Sequence, residues 1–166
     1  LDVVEARRPV AHELDVLDTE AIAKVMTGAD AVFHLAALPR VAYSVEYPVE
    51  SNRVNVEGTV SALTAAKDAR AGKFVYSASA AVYGASDLPL EETLPAHPEN
   101  RYGLQKYLGE LYAELFSRVD GINTVSLRYF NIYGPQRDPA GPDGLSVAKF
   151  LEQKKAGEPL TIVGDG

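Results

Sequence analysis

Apolar residues along the chain fall into short runs separated by amphipathic stretches, and this alternation predicts the elements. Thr19 to Met26 reads as a short amphipathic helix, with Asp18 or Thr19 as N-cap and Gly28 just past its end. Ala31 to Leu35 is an apolar run of strand length, suited to a parallel sheet buried on both faces. Pro48 opens a long helix ending near Gly72, and Lys73 to Tyr76 is the next strand. Asn100 to Arg118 is a helix closed by Asp120-Gly121, and Thr124 to Arg128 is a strand. Leu145 to Ala156 is a helix and Leu160 to Val163 a last strand; Val3-Val4 and His12 to Leu14 read as short strands near the start. Leu88 to Glu99 carries Pro89, Pro95 and Pro98 and reads as a loop. Strands alternating with helices predict an α/β fold with a doubly wound, mostly parallel sheet, and ligands at the carboxyl ends of its strands. The chain has no internal repeat and no low-complexity tract.

The segment Tyr102-Gly103-Leu104-Gln105-Lys106 carries the candidate chemistry. A phenol and an ammonium four residues apart point from one face of a helix. A nearby cation favours the ionised phenol and lowers its pKa from about 10. Tyr102 is therefore a candidate general base or acid for a hydroxyl-bearing carbon. Tyr-x-x-x-Lys arises by chance in many helices, so its neighbours matter. Upstream lie Ala31-Val-Phe-His34-Leu-Ala36-Ala37 and Lys73-Phe-Val-Tyr-Ser77-Ala-Ser79-Ala-Ala-Val-Tyr83-Gly84. Downstream lies Ser126-Leu-Arg128-Tyr129-Phe130-Asn131-Ile-Tyr133-Gly134-Pro135. In this order the four segments resemble the extended short-chain dehydrogenase/reductase superfamily. Within it they look most like the NAD-dependent epimerase/dehydratase family, especially its nucleotide-sugar 4-epimerases, and the resemblance covers nearly the whole chain.

The resemblance implies a Rossmann-like dinucleotide-binding domain over residues 1–135, lacking its first strand and glycine-rich loop, and the start of a substrate lobe over 136–166. It implies NAD as cofactor and a UDP-sugar as substrate, with a transient 4-keto sugar and Ser79, Tyr102 and Lys106 as catalytic triad. Asp15 and Val16 would meet the adenine, although Asp15 also fits a helix cap or a solvated loop. Leu35, Ala36 and Ala37 would line the dinucleotide, where tight packing is the other reading. Asn55 would lie near the cofactor, or else fix a kink in its helix. Ser77 and Tyr129 would flank the nicotinamide, as would Tyr102 and Lys106 from their helix. Ser79, Ala80, Tyr102 and Asn131 would face the substrate. His34 reads as a satisfied, partly buried histidine, and Tyr83 and Arg128 as structural. Arg40 faces a substrate phosphate only weakly, and Gln136-Arg137 approach the nucleotide. Glu5 favours the free ribose diol of NAD, against which Arg7 and Arg8 would accept the 2′-phosphate of NADP.

One departure narrows the reaction. Sugar 4,6-dehydratases of the superfamily carry an Asp-Glu pair directly after the catalytic hydroxyl, and UDP-glucuronate decarboxylases a glutamate two residues after it. This chain has Ala80-Ala81, so water elimination and decarboxylation lose a needed group, whereas epimerisation needs neither. A nucleotide-sugar reductase or dehydrogenase on the same scaffold, or a non-catalytic nucleotide-sugar-binding member, are the other readings.

Composition adds exclusions. The 166 residues suffice for one domain, and 46% are hydrophobic. A net charge of −7, with no basic run beyond Arg7-Arg8 and Lys154-Lys155, argues against nucleic acid as a partner. No apolar stretch reaches membrane-spanning length and no signal peptide pattern opens the chain, so no membrane is expected and a cytoplasmic setting is the default. Without cysteine, and with His12, His34 and His97 scattered, no metal site is expected. Leu1 in place of Met, and a stop at Gly164-Asp165-Gly166, suggest a chain truncated at both ends that is inactive alone. The helices Pro48 to Ala71 and Asn100 to Arg118 would pack across a two-fold axis in a homodimer, with Tyr107, Leu111, Leu115 and Phe116 as core or interface.

Overall fold

Strands β1 (Val32–His34), β2 (Phe74–Ser79) and β3 (Thr124–Tyr129) lie side by side in that order in the computed structural model, which describes residues 10–85, 89–132 and 146–161. β1 and β2 are parallel, with Val32 opposite Phe74, Phe33 opposite Val75 and His34 opposite Tyr76. A parallel pair needs a crossover, and helices supply it. Helix α1 (Thr19–Met26) precedes β1. Between β1 and β2 run α2 (Val41–Glu46), α3 (Pro48–Asn52), a π-helical turn (Arg53–Glu57) and α4 (Gly58–Asp68). A 3-10 turn (Ala80–Val82) follows β2, α5 (Arg101–Asp120) leads into β3, and α6 (Ser146–Ala156) comes last. Residues 1–128 form one compact unit and residues 129–166 a second.

The core forms where α1, α4 and α5 meet the sheet. Phe74, Tyr76 and Ala78 of β2 join Ala62, Leu63 and Ala66 of α4, Ala113 of α5 and Ile122, with Ile22 and Met26 of α1 against the cluster. Each large apolar side chain so buried contributes roughly 1.5–3 kcal/mol. Strand alternation decides which side of β3 joins them. Thr124 donates to the Ala113 carbonyl (3.0 Å) and Arg128 pairs with Glu110, so these two face α5. Val125 and Leu127 point the other way and are exposed, as is Phe33 of β1.

Helix α5 has well-marked ends. Asn100 Oδ1 accepts from the Gly103 N–H (2.8 Å) as N-cap. Gly121, at φ 73°, takes the left-handed position past the last turn. Midway, Gly109 lies directly over the Tyr76 ring, and a Cβ there would overlap the Tyr76 hydroxyl and ring carbons.

Several expectations are corrected. The single helix from Pro48 is interrupted by the π-turn at 53–57 and ends at Asp68 rather than near Gly72. Arg70, at φ 54°, takes the left-handed cap position, with Arg70 N–H bonded to Lys67 O (3.0 Å) and Ala71 N–H to Ala66 O (3.0 Å). Gly72 serves a different need: a Cβ there would lie 2.6 Å from the Asp30 carbonyl. Helix α2 was not expected, because Arg40 to Glu46 lacks a side-chain cap signal. His12 to Leu14 forms no strand, since no ladder partner lies beside it among the described residues. Leu160 and Thr161 are not strand either; Thr161 folds back on α6, its N–H bonding Gln153 Oε1 (3.1 Å). Val3-Val4, Ile162 and Val163 lie outside the described residues.

Gly109→Ala is expected to destabilise the fold by about 2–3 kcal/mol, overpacking outweighing alanine's better helix propensity. Denaturant unfolding checks this; an unchanged or raised midpoint would contradict the close helix–strand contact.

Candidate active site

Tyr102 and Lys106 are one turn apart on α5, and the first turn of that helix sits on the 3-10 turn after β2. Gly103 permits the approach: a Cβ there would be 2.5 Å from the Ala81 carbonyl oxygen. Ser79 ends β2, and its Oγ accepts from the Ala81 N–H (3.2 Å), fixing the hydroxyl at the start of the turn. The same hydroxyl faces the Tyr102 phenol and favours its ionised form. Lys106 is only 5% exposed, and its Nζ donates to the Ser77 carbonyl (2.7 Å). Ser77 thus meets the lysine through its backbone. Ala80 opens the 3-10 turn beside Ser79.

The electrostatics correct one expectation. Burial pushes the Tyr102 phenol above its ordinary pKa, and the Ser79 hydroxyl opposes that only in part. Lys106 does not lower it: the ammonium stands 6.0 Å from the ring centroid and is committed to the Ser77 carbonyl. Burial brings Lys106 itself down to about 8. Desolvation therefore governs both groups, disfavouring the phenolate and the ammonium alike.

His34 is a neutral structural group. It is buried, lies 5.7 Å from the Phe74 ring and 6.0 Å from the Tyr76 ring, and bonds Thr59 Oγ1 through Nε2 (3.0 Å). Burial first, then the Lys106 charge, bring it to about 4. Arg128 grips Glu110 through Nε and Nη2 (2.9 and 2.8 Å) and lies over the Tyr83 ring at 4.5 Å, a structural brace as expected.

The remaining predicted residues lie on several elements. Leu35 and Ala36 are exposed just beyond β1 and Ala37 is half-buried. Asn55 is 1% exposed within the π-turn. Its Oδ1 accepts from Leu38 N–H (2.7 Å), and its Nδ2 donates to Leu38 O (3.1 Å) and Gln105 Oε1 (2.8 Å). Both amide hydrogens are thus used within the protein. Asp15 is exposed, its carboxylate accepting from Leu17 N–H (2.9 Å), and Val16 packs on Gly58, where a Cβ would be 2.8 Å from Val16 Cγ1. Tyr129 ends β3 and Asn131 follows; both are exposed and belong to the second unit. Glu5, Arg7, Arg8, Gln136 and Arg137 lie outside the described residues.

Sequence reasoning missed Gly103, Gln105 and Glu110. Tyr102, Gln105, Lys106, Gly109 and Ala113 recur at helical spacing on the inward face of α5, and that period was the available signal.

The NAD dependent epimerase/dehydratase family matches residues 3–166. Over 155 residues the chain is 37% identical to a putative UDP-glucose 4-epimerase of Methanocaldococcus jannaschii, covering 92% of this chain and 50% of that protein. It is similar to the solved UDP-N-acetylglucosamine 4-epimerase from Methanobrevibacter ruminantium M1, in complex with UDP-N-acetylmuramic acid, at TM-score 0.83 and 36% identity, covering 92% and 49% of the two chains. The UDP-glucose 4-epimerase of Thermotoga maritima with UDP-glucose matches at TM-score 0.82 and 34% identity, covering 93% and 52%. The chain spans about half the length of the curated relatives it matches.

Lys106 makes stability pH-dependent in an unusual direction. Its folded pKa of about 8 lies below the unfolded value of 10.5, so the unfolded state holds the proton longer and stability rises from pH 8 towards 10.5. Above pH 10 the raised phenols of Tyr76 and Tyr102 reverse the trend, because the folded state then keeps protons that the unfolded chain loses. Unfolding free energy is expected to grow by about 2 kcal/mol between about pH 7.5 and 9.5, and this rise to vanish in Lys106→Met. A flat wild-type profile would contradict the burial of the lysine.

Proposed function

The chain belongs to the NAD dependent epimerase/dehydratase family, and from that premise we propose that the full-length protein is an NAD-dependent nucleotide-sugar 4-epimerase acting on UDP-glucose or UDP-N-acetylglucosamine. The observation that carries this reading is the grouping of Ser79, Tyr102 and Lys106 at the carboxyl end of β2, made possible by Gly103.

The residues present fit a dinucleotide. Leu35, 66% exposed, and Ala36 offer an apolar wall at the end of β1. The nearly buried Lys106 has three donors, of which Ser77 O takes one; a ribose hydroxyl is a suitable acceptor for another. Asp15 and Val16 would take the adenine edge, Leu35, Ala36 and Ala37 the ribose side, Asn55 and Ser77 the wall behind it, and Tyr102, Lys106 and Tyr129 the nicotinamide end. Residues 1–135 would be the dinucleotide domain and 136–166 the start of the substrate lobe. Ser79, Ala80, Tyr102 and Asn131 would face the sugar.

NAD held there would supply a hydride acceptor for the sugar and a positive charge. Tyr102 takes the proton of the 4-hydroxyl and returns it after the sugar has presented its other face. The Ser79 hydroxyl bonds the same oxygen and steadies the phenolate. Lys106 would hold the ribose through a donor that the Ser77 carbonyl leaves free, and the positive charge of the cofactor would favour the deprotonated phenol. Ala80-Ala81 place no carboxyl group where elimination would need one. The net reaction leaves the cofactor's redox state unchanged.

A homodimer in the cytoplasm completes the proposal. Leu104, Leu111, Leu115 and Val119 form an exposed apolar stripe on α5, and Val49 of α3 is 81% exposed beside a groove lined by Leu104 and Leu108. Among the described residues no helix is long and apolar enough to cross a membrane.

The full-length protein, incubated with each UDP-sugar and no added reductant, is expected to yield the galacto epimer by NMR, and Tyr102→Phe to lose about 10³-fold or more in turnover while staying folded. A near-normal variant, or consumption of NAD(P)H in stoichiometric amounts, would overturn the epimerase reading. Leu111→Glu with Leu115→Glu is expected to halve the mass measured by light scattering; an unchanged mass would place the interface elsewhere.

A further inference from the structure

A buried chain of polar side chains joins α5 to the strand end that would wall the cofactor, and it passes through Gln105. Ser51, Asn55 and Gln105 are 0%, 1% and 4% exposed. Ser51 Oγ donates to the Pro48 carbonyl (3.2 Å), so it must accept from Gln105 Nε2 (3.0 Å). That turns Gln105 Oε1 towards Asn55 Nδ2 (2.8 Å), and Asn55 Oδ1 accepts from the Leu38 N–H (2.7 Å). Every donor along the line points the same way, from Leu38 to Pro48, and the direction is set by a carbonyl that can only accept. The Leu38 N–H and carbonyl already fix which way the Asn55 amide faces, and the Gln105 oxygen takes the amide hydrogen that Leu38 leaves over. With the Gln105 oxygen beside it, only one orientation leaves neither a buried donor nor a buried acceptor without a partner.

We infer that Gln105 is a positioning residue for the cofactor wall: by presenting its side-chain oxygen to Asn55, it holds the amide that clamps both backbone groups of Leu38. The segment 35–38 is thereby held against the helix that carries Tyr102 and Lys106. Gln105 stands between those two residues in sequence and on the same inward face, so one helix sets both the acid–base group and the wall against which the dinucleotide lies. The inference rests on the NAD reading for its functional consequence, while the clamp itself is a property of the protein without ligand.

The test separates the two. In the full-length protein, Gln105→Met keeps the volume and removes the acceptor, whereas Gln105→Glu keeps an acceptor facing Asn55. Hydrogen-exchange mass spectrometry on peptides covering Leu38, without ligand, is expected to show about tenfold faster exchange in the methionine variant and a rate within about threefold of wild type in the glutamate variant. Equilibrium dialysis with NAD is expected to follow the same order, the dissociation constant rising about tenfold in Gln105→Met and turnover at saturating NAD changing less. Unchanged exchange in Gln105→Met, or equal acceleration in both variants, would overturn the inference. If the wild type binds no NAD, the cofactor reading fails while the exchange result still decides the clamp. Should the methionine variant not fold, Ser51→Ala takes its place: it frees the Gln105 amide to turn, about threefold faster exchange at Leu38 is expected, and an unchanged rate would overturn the proposal.

Discussion

The close approach of α5 to β2 and to the turn that follows it is the constraint on which this structure depends. Two glycines one face apart make it possible, Gly103 against the Ala81 carbonyl and Gly109 against Tyr76. A side chain at either would lift the helix by a fraction of its radius, and interiors packed at crystal density do not absorb such a shift. The same approach lets Tyr102 reach Ser79, carries Lys106 to the Ser77 carbonyl, and brings Glu110 to Arg128. Packing and chemistry are thus set by one contact.

Burial at this contact has an electrostatic consequence. The phenol is held up and the ammonium down, so around neutral pH the ligand-free site keeps Tyr102 protonated and Lys106 charged at a desolvation cost. A base is not stored in the resting site. In the proposed mechanism a base would arise when the positive charge of a bound cofactor tips the phenol, which would link acid–base competence to occupancy. The Arg128–Glu110 pair, braced on Tyr83, is the fixed counterpart: an ion pair with two hydrogen bonds that holds the end of β3 to α5.

The π-turn at Arg53–Glu57 plays a similar part on the other side of the site. One wide turn between α3 and α4 puts Asn55 on the buried side, where its amide meets both Leu38 and Gln105. Had the helix stayed regular, as its sequence reads, the amide would have been rotated relative to its partners. The interruption converts a mid-helix asparagine, a poor helix former, into the link between two elements.

Much was legible in the residues alone, because the signals were local. Asn100 and Gly121 cap α5 through bonds to their own chain; Asp18 does the same for α1; the apolar run of β2 is buried as it reads, whereas β1, read as buried on both faces, leaves Phe33 exposed. Four segments, around Ala36, Ser79, Tyr102 and Asn131, in that order along the chain, carried the resemblance to the family that matches residues 3–166. What the sequence could not determine were quantities that depend on distance between elements. The phenol's shift depends on how deeply α5 buries it, which a Tyr-x-x-x-Lys spacing does not specify. The helix stops short of Gly72 with Arg70 in the left-handed position, and Gly72 meets the Asp30 carbonyl instead. Gln105 looked like one more polar helix residue until the fold turned it inward between Asn55 and Ser51. Local capping and periodicity act within a few residues and are written in the chain; burial, close approach and hydrogen-bond direction are properties of pairs far apart in sequence, and only the tertiary structure decided them.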